Sequence, residues 1–172
     1  FDDLGRLAWT NLEPNGGGAL RRGTIFFRDA SGLPTEIDVQ TNQSTRKTFF
    51  AYDNMEGMFP TASWNQLGHA HRAVFHPGFG VPVVSEDPNG VQVHSTYDRF
   101  GRVRGVTPDG GTAASLSYAS NDCKTSAAEK GMCTSVTFVG GGEQVAYTDE
   151  YGRTWETGDL GFDGTMVFRR QR

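Results

Sequence analysis

An all-β fold of β-hairpins in series is what this sequence predicts, and three observations predict it. Glycine occupies 23 of 172 positions, nearly twice its share at the ordinary level of roughly 7%. The 12 Phe, 5 Tyr and 3 Trp are spread from end to end, which sets the chain apart from a disordered, aromatic-poor tail. An aromatic residue followed by a turn signal recurs every twenty-odd residues, at 1, 27, 52, 75, 97, 118 and 147. So many glycines exclude a helical bundle, because each interior one costs about 1 kcal/mol relative to Ala.

The turns have a definite chemistry. Asp with Gly three residues on occurs at Asp2–Gly5, Asp29–Gly32, Asp87–Gly90, Asp98–Gly101 and Asp149–Gly152. With 12 Asp and 23 Gly in the chain, composition alone would produce the pairing about once or twice. The Asp carboxylate accepts backbone N–H groups inside the turn, and Gly takes the positive φ that returns the chain to a strand. Tyr52, Asp53 and Gly57 form a looser version. The cluster Asp87-Pro88-Asn89-Gly90 and the pair Asp109-Gly110 are expected to connect strands at the end opposite the Tyr-Asp turns.

Between turns the chain reads as strand. Residues 24–27, 81–84, 91–97 and 134–139 are rich in β-branched and aromatic residues, and two of these stretches alternate polar with apolar. No stretch of ten residues carries a 3.6-residue period. Residues 125–132 have the composition for one helical turn and no more. The expected unit is one hairpin, two strands per repeat. Such a unit cannot bury its apolar face alone and must stack on its neighbours.

Charge and hydropathy exclude partners. Sixteen basic against twenty acidic residues give −4 with no basic stripe, so no nucleic acid is expected; Arg169, Arg170 and Arg172 read as a solvated strand end. No apolar run approaches the ~20 residues of a membrane span. The chain opens at Phe1 with no Met and no apolar leader, so it is read as a segment of a longer polypeptide.

Residues 97–103 (YDRFGRV) and 107–111 (TPDGG) resemble the YD repeat of RHS (rearrangement hotspot) proteins. Residues 75–90 (FHPGFGVPVVSEDPNG) and 147–165 (YTDEYGRTWETGDLGFDGT) are similar to that repeat in the SpvB-like and Tc-type insecticidal toxin branch. The resemblance covers essentially all of 1–172, about seven repeats. Departures are Arg28 where Asp is usual after the aromatic, Pro77 in place of the Asp, and Tyr118-Ala119-Ser120, which lacks the turn. The resemblance implies a curved, spiralling β-sheet strip that is a segment of a larger hollow shell. It also implies a structural, non-enzymatic role in a secreted or cell-surface bacterial protein, enclosing or presenting a toxin polypeptide. The partners implied are neighbouring repeats of the same parent chain and the enclosed domain. An adhesin, or a carbohydrate- or protein-binding module built from the same repeats, is the alternative.

Cys123 and Cys133 bound a loop at 119–133 that resembles one in the same branch, which implies a disulfide between them. Closing so short a loop would contribute about 3 kcal/mol on the chain-entropy model and would place the protein outside the cytosol. Read from residues alone, two free thiols or half of a metal site stay open.

Other chemistry is thin. His69 and His71 share a strand face but lack a third ligand, and the turn aspartates are accounted for by their turns. No nucleophile elbow, P-loop or dinucleotide fingerprint occurs, and Gly16–Gly18 and Gly140–Gly142 read as flexible loops. No catalytic residue, cofactor or metal is expected. Trp9, Trp64 and Trp155 are expected as cross-strand partners that stiffen a sheet, with a sugar-binding surface as the other reading.

Overall fold

The computed structural model describes residues 1–12, 22–120 and 132–170. These contain fourteen strands and no helix. Among the described residues no helix is long and apolar enough to cross a membrane. The chain divides into two compact units, Phe1–Val91 and Gln92–Arg172.

The first unit is a meander of β1 (Trp9–Leu12), β2 (Arg22–Arg28), β3 (Pro34–Thr41), β4 (Thr45–Tyr52), β5 (Pro60–Asn65), β6 (Ala70–Phe75) and β7 (Pro82–Glu86). Each strand pairs antiparallel with the next. The second unit repeats the plan with β8 (Gln92–Tyr97), β9 (Val103–Pro108), β10 (Ala114–Ser120), β11 (Met132–Phe138), β12 (Glu143–Thr148), β13 (Thr154–Leu160) and β14 (Met166–Arg170). Most of the connections are short, and a short connection joins antiparallel neighbours, which dictates the order of the strands they link.

A meander sends alternate turns to opposite ends. In the first unit the turns at Asp2, Asp29, Asp53 and His76 lie at one end, and those at Thr41, Asn65 and Asp87 at the other. In the second, Asp98 and Asp149 share one end, opposite Asp109-Gly110, Gly140–Gly142 and Gly161–Thr165.

The two ends differ in register. The hairpins closed by Asp29, Asp53, His76, Asp98 and Asp149 each slip by one residue just before the turn. In the first of these Phe27 pairs with Glu36 but Arg28 with Pro34, leaving Thr35 unpaired. Thr61 holds the same position in the Asp53 hairpin. Both threonines donate their hydroxyl across the bulge, Thr35 to the Phe27 carbonyl at 3.5 Å and Thr61 to the Ala51 carbonyl at 3.3 Å. Bulges of this kind increase local twist, so each of these five hairpins bends at its bulged end.

Little is buried. Cys133, Val145 and Tyr147 form the hydrophobic cluster of the second unit, flanked by Ala119, Trp155, Met166 and Phe168. The register explains the grouping: Cys133 lies opposite both Ala119 and Tyr147. Gly158 is opposite Phe168, and a Cβ there would come within 2.8 Å of both the Phe168 ring and Val145 Cγ2. The missing side chain is what lets that ring lie down on the sheet.

Two expectations are corrected here, and a third falls almost wholly outside the described residues. Gly140–Gly142 is a tight hairpin turn, not a flexible loop: Phe138 N–H donates to the Gly142 carbonyl at 2.8 Å, and Gly140 and Gly141 have φ of 111° and 107°. The Cys-bounded segment 119–133 is strand at both margins, with Ala119 and Ser120 in β10 and Met132 and Cys133 in β11. Met132 extends a ladder, so the helical turn expected over 125–132 does not reach it, and 125–131 lie outside the described residues.

Candidate functional site

The feature that recurs is a clasp between successive hairpins, and it starts with the turn carboxylate. Asp98 Oδ1 accepts the N–H of Phe100 at 2.8 Å and of Arg102 at 3.0 Å. Its Oδ2 takes the Arg102 guanidinium at 2.7 Å. Gly101, at φ 76°, donates to the Asp98 carbonyl, and Asp98 N–H to the Arg102 carbonyl, which closes a three-residue hairpin loop. Asp2–Arg6 and Asp149–Arg153 repeat the arrangement, with Nε–Oδ2 distances of 2.7 and 2.8 Å. Asp29 and Asp87 form the same loop, with Leu33 and Val91 where the arginine would be. Gly5, Gly32, Gly90 and Gly152 all have positive φ.

Asp53 carries a wider loop. Its two oxygens accept the N–H groups of Glu56, Gly57, Met58 and Phe59 at 2.7–3.2 Å. The bonds from Glu56 and Phe59 lead in holding its carboxyl down at about 2, against a partial offset from burial. The Arg6 N–H leads in lowering Asp2, and the Arg153 N–H in lowering Asp149. At Asp98 burial pushes upward, but the Arg102 N–H and guanidinium outweigh it, and the net shift is down.

From several of these turns the next hairpin reaches back. The Tyr52 hydroxyl donates to the carbonyl of Pro34, the first residue of β3, at 2.9 Å. The Tyr118 hydroxyl donates to the carbonyl of Val103, the first residue of β9, also at 2.9 Å. Arg28 does this with a guanidinium, donating to Leu7 at 3.2 Å and to Gly32 in its own turn at 3.0 Å. The Thr148 hydroxyl reaches Met132, the first residue of β11, at 3.2 Å. Phe75 has no donor, and its ring stacks on Phe59 of the preceding turn at 5.2 Å. Arg102 adds a second contact, its guanidinium 4.4 Å from the centroid of the Tyr118 ring.

This geometry corrects the repeat alignment at three places. Arg28, not Phe27, holds the position before the turn Asp, so Arg28 replaces the tyrosine rather than the aspartate. His76, not Pro77, holds the aspartate position: its Nδ1 accepts the N–H of Gly78 at 3.1 Å and of Phe79 at 3.2 Å. Thr148 precedes Asp149, and Tyr147 turns into the buried cluster. An aromatic one residue early points to the opposite face of a strand, which a search by residue type cannot register. Asn65 also mimics a turn aspartate, its Oδ1 accepting from Leu67 and His69. Searching for Asn-x-x-Gly would have found it.

The other singled-out residues do not converge. His69 lies in the Asn65 turn, 3.3 Å from the Asn65 side chain, and His71 pairs with Ser63 in β6. Among the described residues no group of three His, Cys, Asp or Glu side chains is placed to hold a metal. Trp64 stacks on its cross-strand partner Phe49 at 5.7 Å, and Trp155 leans on Tyr147 at 5.6 Å. Cys133 is fully buried, and its expected partner Cys123 lies outside the described residues. The sequence reading missed two buried acids: Asp38, held by Lys47 at 3.3 Å, and Glu156, held by Arg170 at 3.0 Å. Only the register reveals them, since each partner sits directly opposite on the next strand.

No family model matches the chain, and the search of curated proteins found no match.

Proposed function

We propose that this chain is a non-enzymatic structural segment of an RHS/YD-type β-strip. In this reading it belongs to a secreted or cell-surface bacterial protein, and its sheet encloses or presents a toxin or effector polypeptide. The clasp carries the reading: four side chains, Arg28, Tyr52, Tyr118 and Thr148, deliver a hydrogen bond back to a carbonyl just before or at the start of the preceding strand. What arginine, tyrosine and threonine share at this position is a donor that reaches back to the preceding hairpin, so the position supplies a link. Each link joins nearest neighbours only, which suits a wall that grows by adding hairpins. Large apolar side chains on the strands, such as Phe27, Val74 and Val167, stand exposed, and a shell would give such faces something to cover. A Cys123–Cys133 disulfide belongs to the same proposal.

Limited proteolysis of the parent polypeptide tests it. Segments outside the repeats should resist cleavage until the repeats unfold. If they are cut as fast as when expressed alone, encapsulation fails. Thiol alkylation with and without reductant, on protein exported by its native host, tests the disulfide; free thiols would refute it.

A further inference from the structure

We propose that face-sharing residues of β1, β2 and β3 form a binding site for an uncharged saccharide. A groove of about 530 Å³ lies over these strands, within the range of small-ligand sites. Register places its principal lining residues on one face. Trp9 is opposite Ile25, and Gly23 sits between Asn11 on β1 and Gln40 on β3. Trp9 is 57% exposed, unlike Trp64 and Trp155, which are engaged by neighbouring rings.

Gly23 is the decisive residue. Its backbone is outside the left-handed region, so no conformation demands glycine. Space does not demand it either: an added Cβ would meet only the Thr10 carbonyl at 3.9 Å and Gln40 Cβ at 4.0 Å, ordinary contacts. A mid-strand glycine weakens a sheet, and its common justification is close approach of something else. The notch it leaves is flanked by two amides. Asn11 Oδ1 is buried without a hydrogen-bond partner, an acceptor waiting for a donor.

The lining defines the ligand's chemistry. Among the described residues no charged side chain lines the groove, which favours a neutral molecule; Asp38 on the same face is held by Lys47 through Oδ2, and its buried, unpartnered Oδ1 adds a second acceptor beside Asn11 Oδ1. A flat indole beside amides that both donate and accept suits a pyranose, which offers an apolar ring face and a rim of hydroxyls. The site stands independently of the encapsulation reading, and either can fail alone.

The test is isothermal titration of the 172-residue chain with maltotriose, cellotriose, mannotriose and N,N′-diacetylchitobiose. At least one should bind saturably. Trp9→Ala and Gly23→Val should each weaken that binding about tenfold or more, while the urea midpoint of Gly23→Val stays level or rises. Gln40→Ala, an exposed change, should weaken it several-fold without affecting the midpoint. No saturable binding to any of the four would overturn the site. So would binding that survives Gly23→Val, or equal competition by an unglycosylated peptide.

Discussion

The Arg28 guanidinium donates to the Leu7 carbonyl at 3.2 Å, the bond that the Tyr52 hydroxyl makes to Pro34 one hairpin later. One position therefore accepts two donors of different charge, because what it supplies is a hydrogen-bond donor reaching back one hairpin. Arg28 does so at a cost, since its Nε is buried with no partner. Arg28→Tyr should then keep the chain as stable as it is, or raise stability by up to about 1 kcal/mol, whereas Arg28→Ala should lower it by about 1–2 kcal/mol. Urea unfolding compares the two. Equal losses from both variants would show that the link to Leu7 contributes nothing.

Asp53 predicts an acid limit. Its folded carboxyl is depressed to about 2 from an ordinary 3.8, chiefly by N–H groups of Glu56 and Phe59. A depressed acid stabilises the folded state above its unfolded value, and that contribution is lost as pH falls through the folded value. The loop at 53–59 should therefore hold at pH 5 and weaken progressively between about 4 and 2. Asp53→Asn should flatten that pH dependence, measured as thermal midpoint against pH. An unchanged slope would mean the four N–H bonds do not favour the ionised form.

Much of the fold was legible in the sequence, for identifiable reasons. Asp-x-x-Gly is a local device: the carboxylate at Asp98 and the left-handed Gly101 determine their loop without help from distant residues. The meander follows because such loops are short. What stayed hidden depends on register. Nothing local separates Phe27 from Arg28 as the clasp residue, since a one-residue slip exchanges the faces of a strand. Asp38 and Lys47, nine positions apart, meet only because β3 and β4 pair as they do. The bulges at Thr35 and Thr61 were invisible for the same reason: an unpaired residue exists only relative to a partner strand. Gly23 looked like any other glycine until its neighbours showed that neither φ nor space required it.

Gly158 is the opposite kind of glycine. A Cβ would come within 2.8 Å of Phe168 and Val145, both part of the packing around Tyr147. Gly158→Ala should destabilise the second unit by about 1–3 kcal/mol, the usual consequence of overpacking. Trimming the ring in Gly158→Ala/Phe168→Leu should recover part of that loss, so the two changes will be strongly non-additive. Chemical denaturation of the three variants decides it. Strict additivity would show that the ring moves freely aside.

Tyr118 makes two separable contacts, and they predict a graded series. Its hydroxyl holds Val103 at 2.9 Å, and its ring lies 4.4 Å beneath the Arg102 guanidinium. Tyr118→Phe removes only the first and should cost about 1 kcal/mol. Tyr118→Leu removes both and should cost roughly 0.5–1 kcal/mol more, the worth of a part-exposed cation–π contact. The cycle of Arg102→Ala with Tyr118→Leu should show coupling of that size, because Arg102 also holds Asp98 and so transmits the turn to the next strand. Zero coupling would mean that each hairpin holds its own turn and that the arginine joins nothing across the repeat.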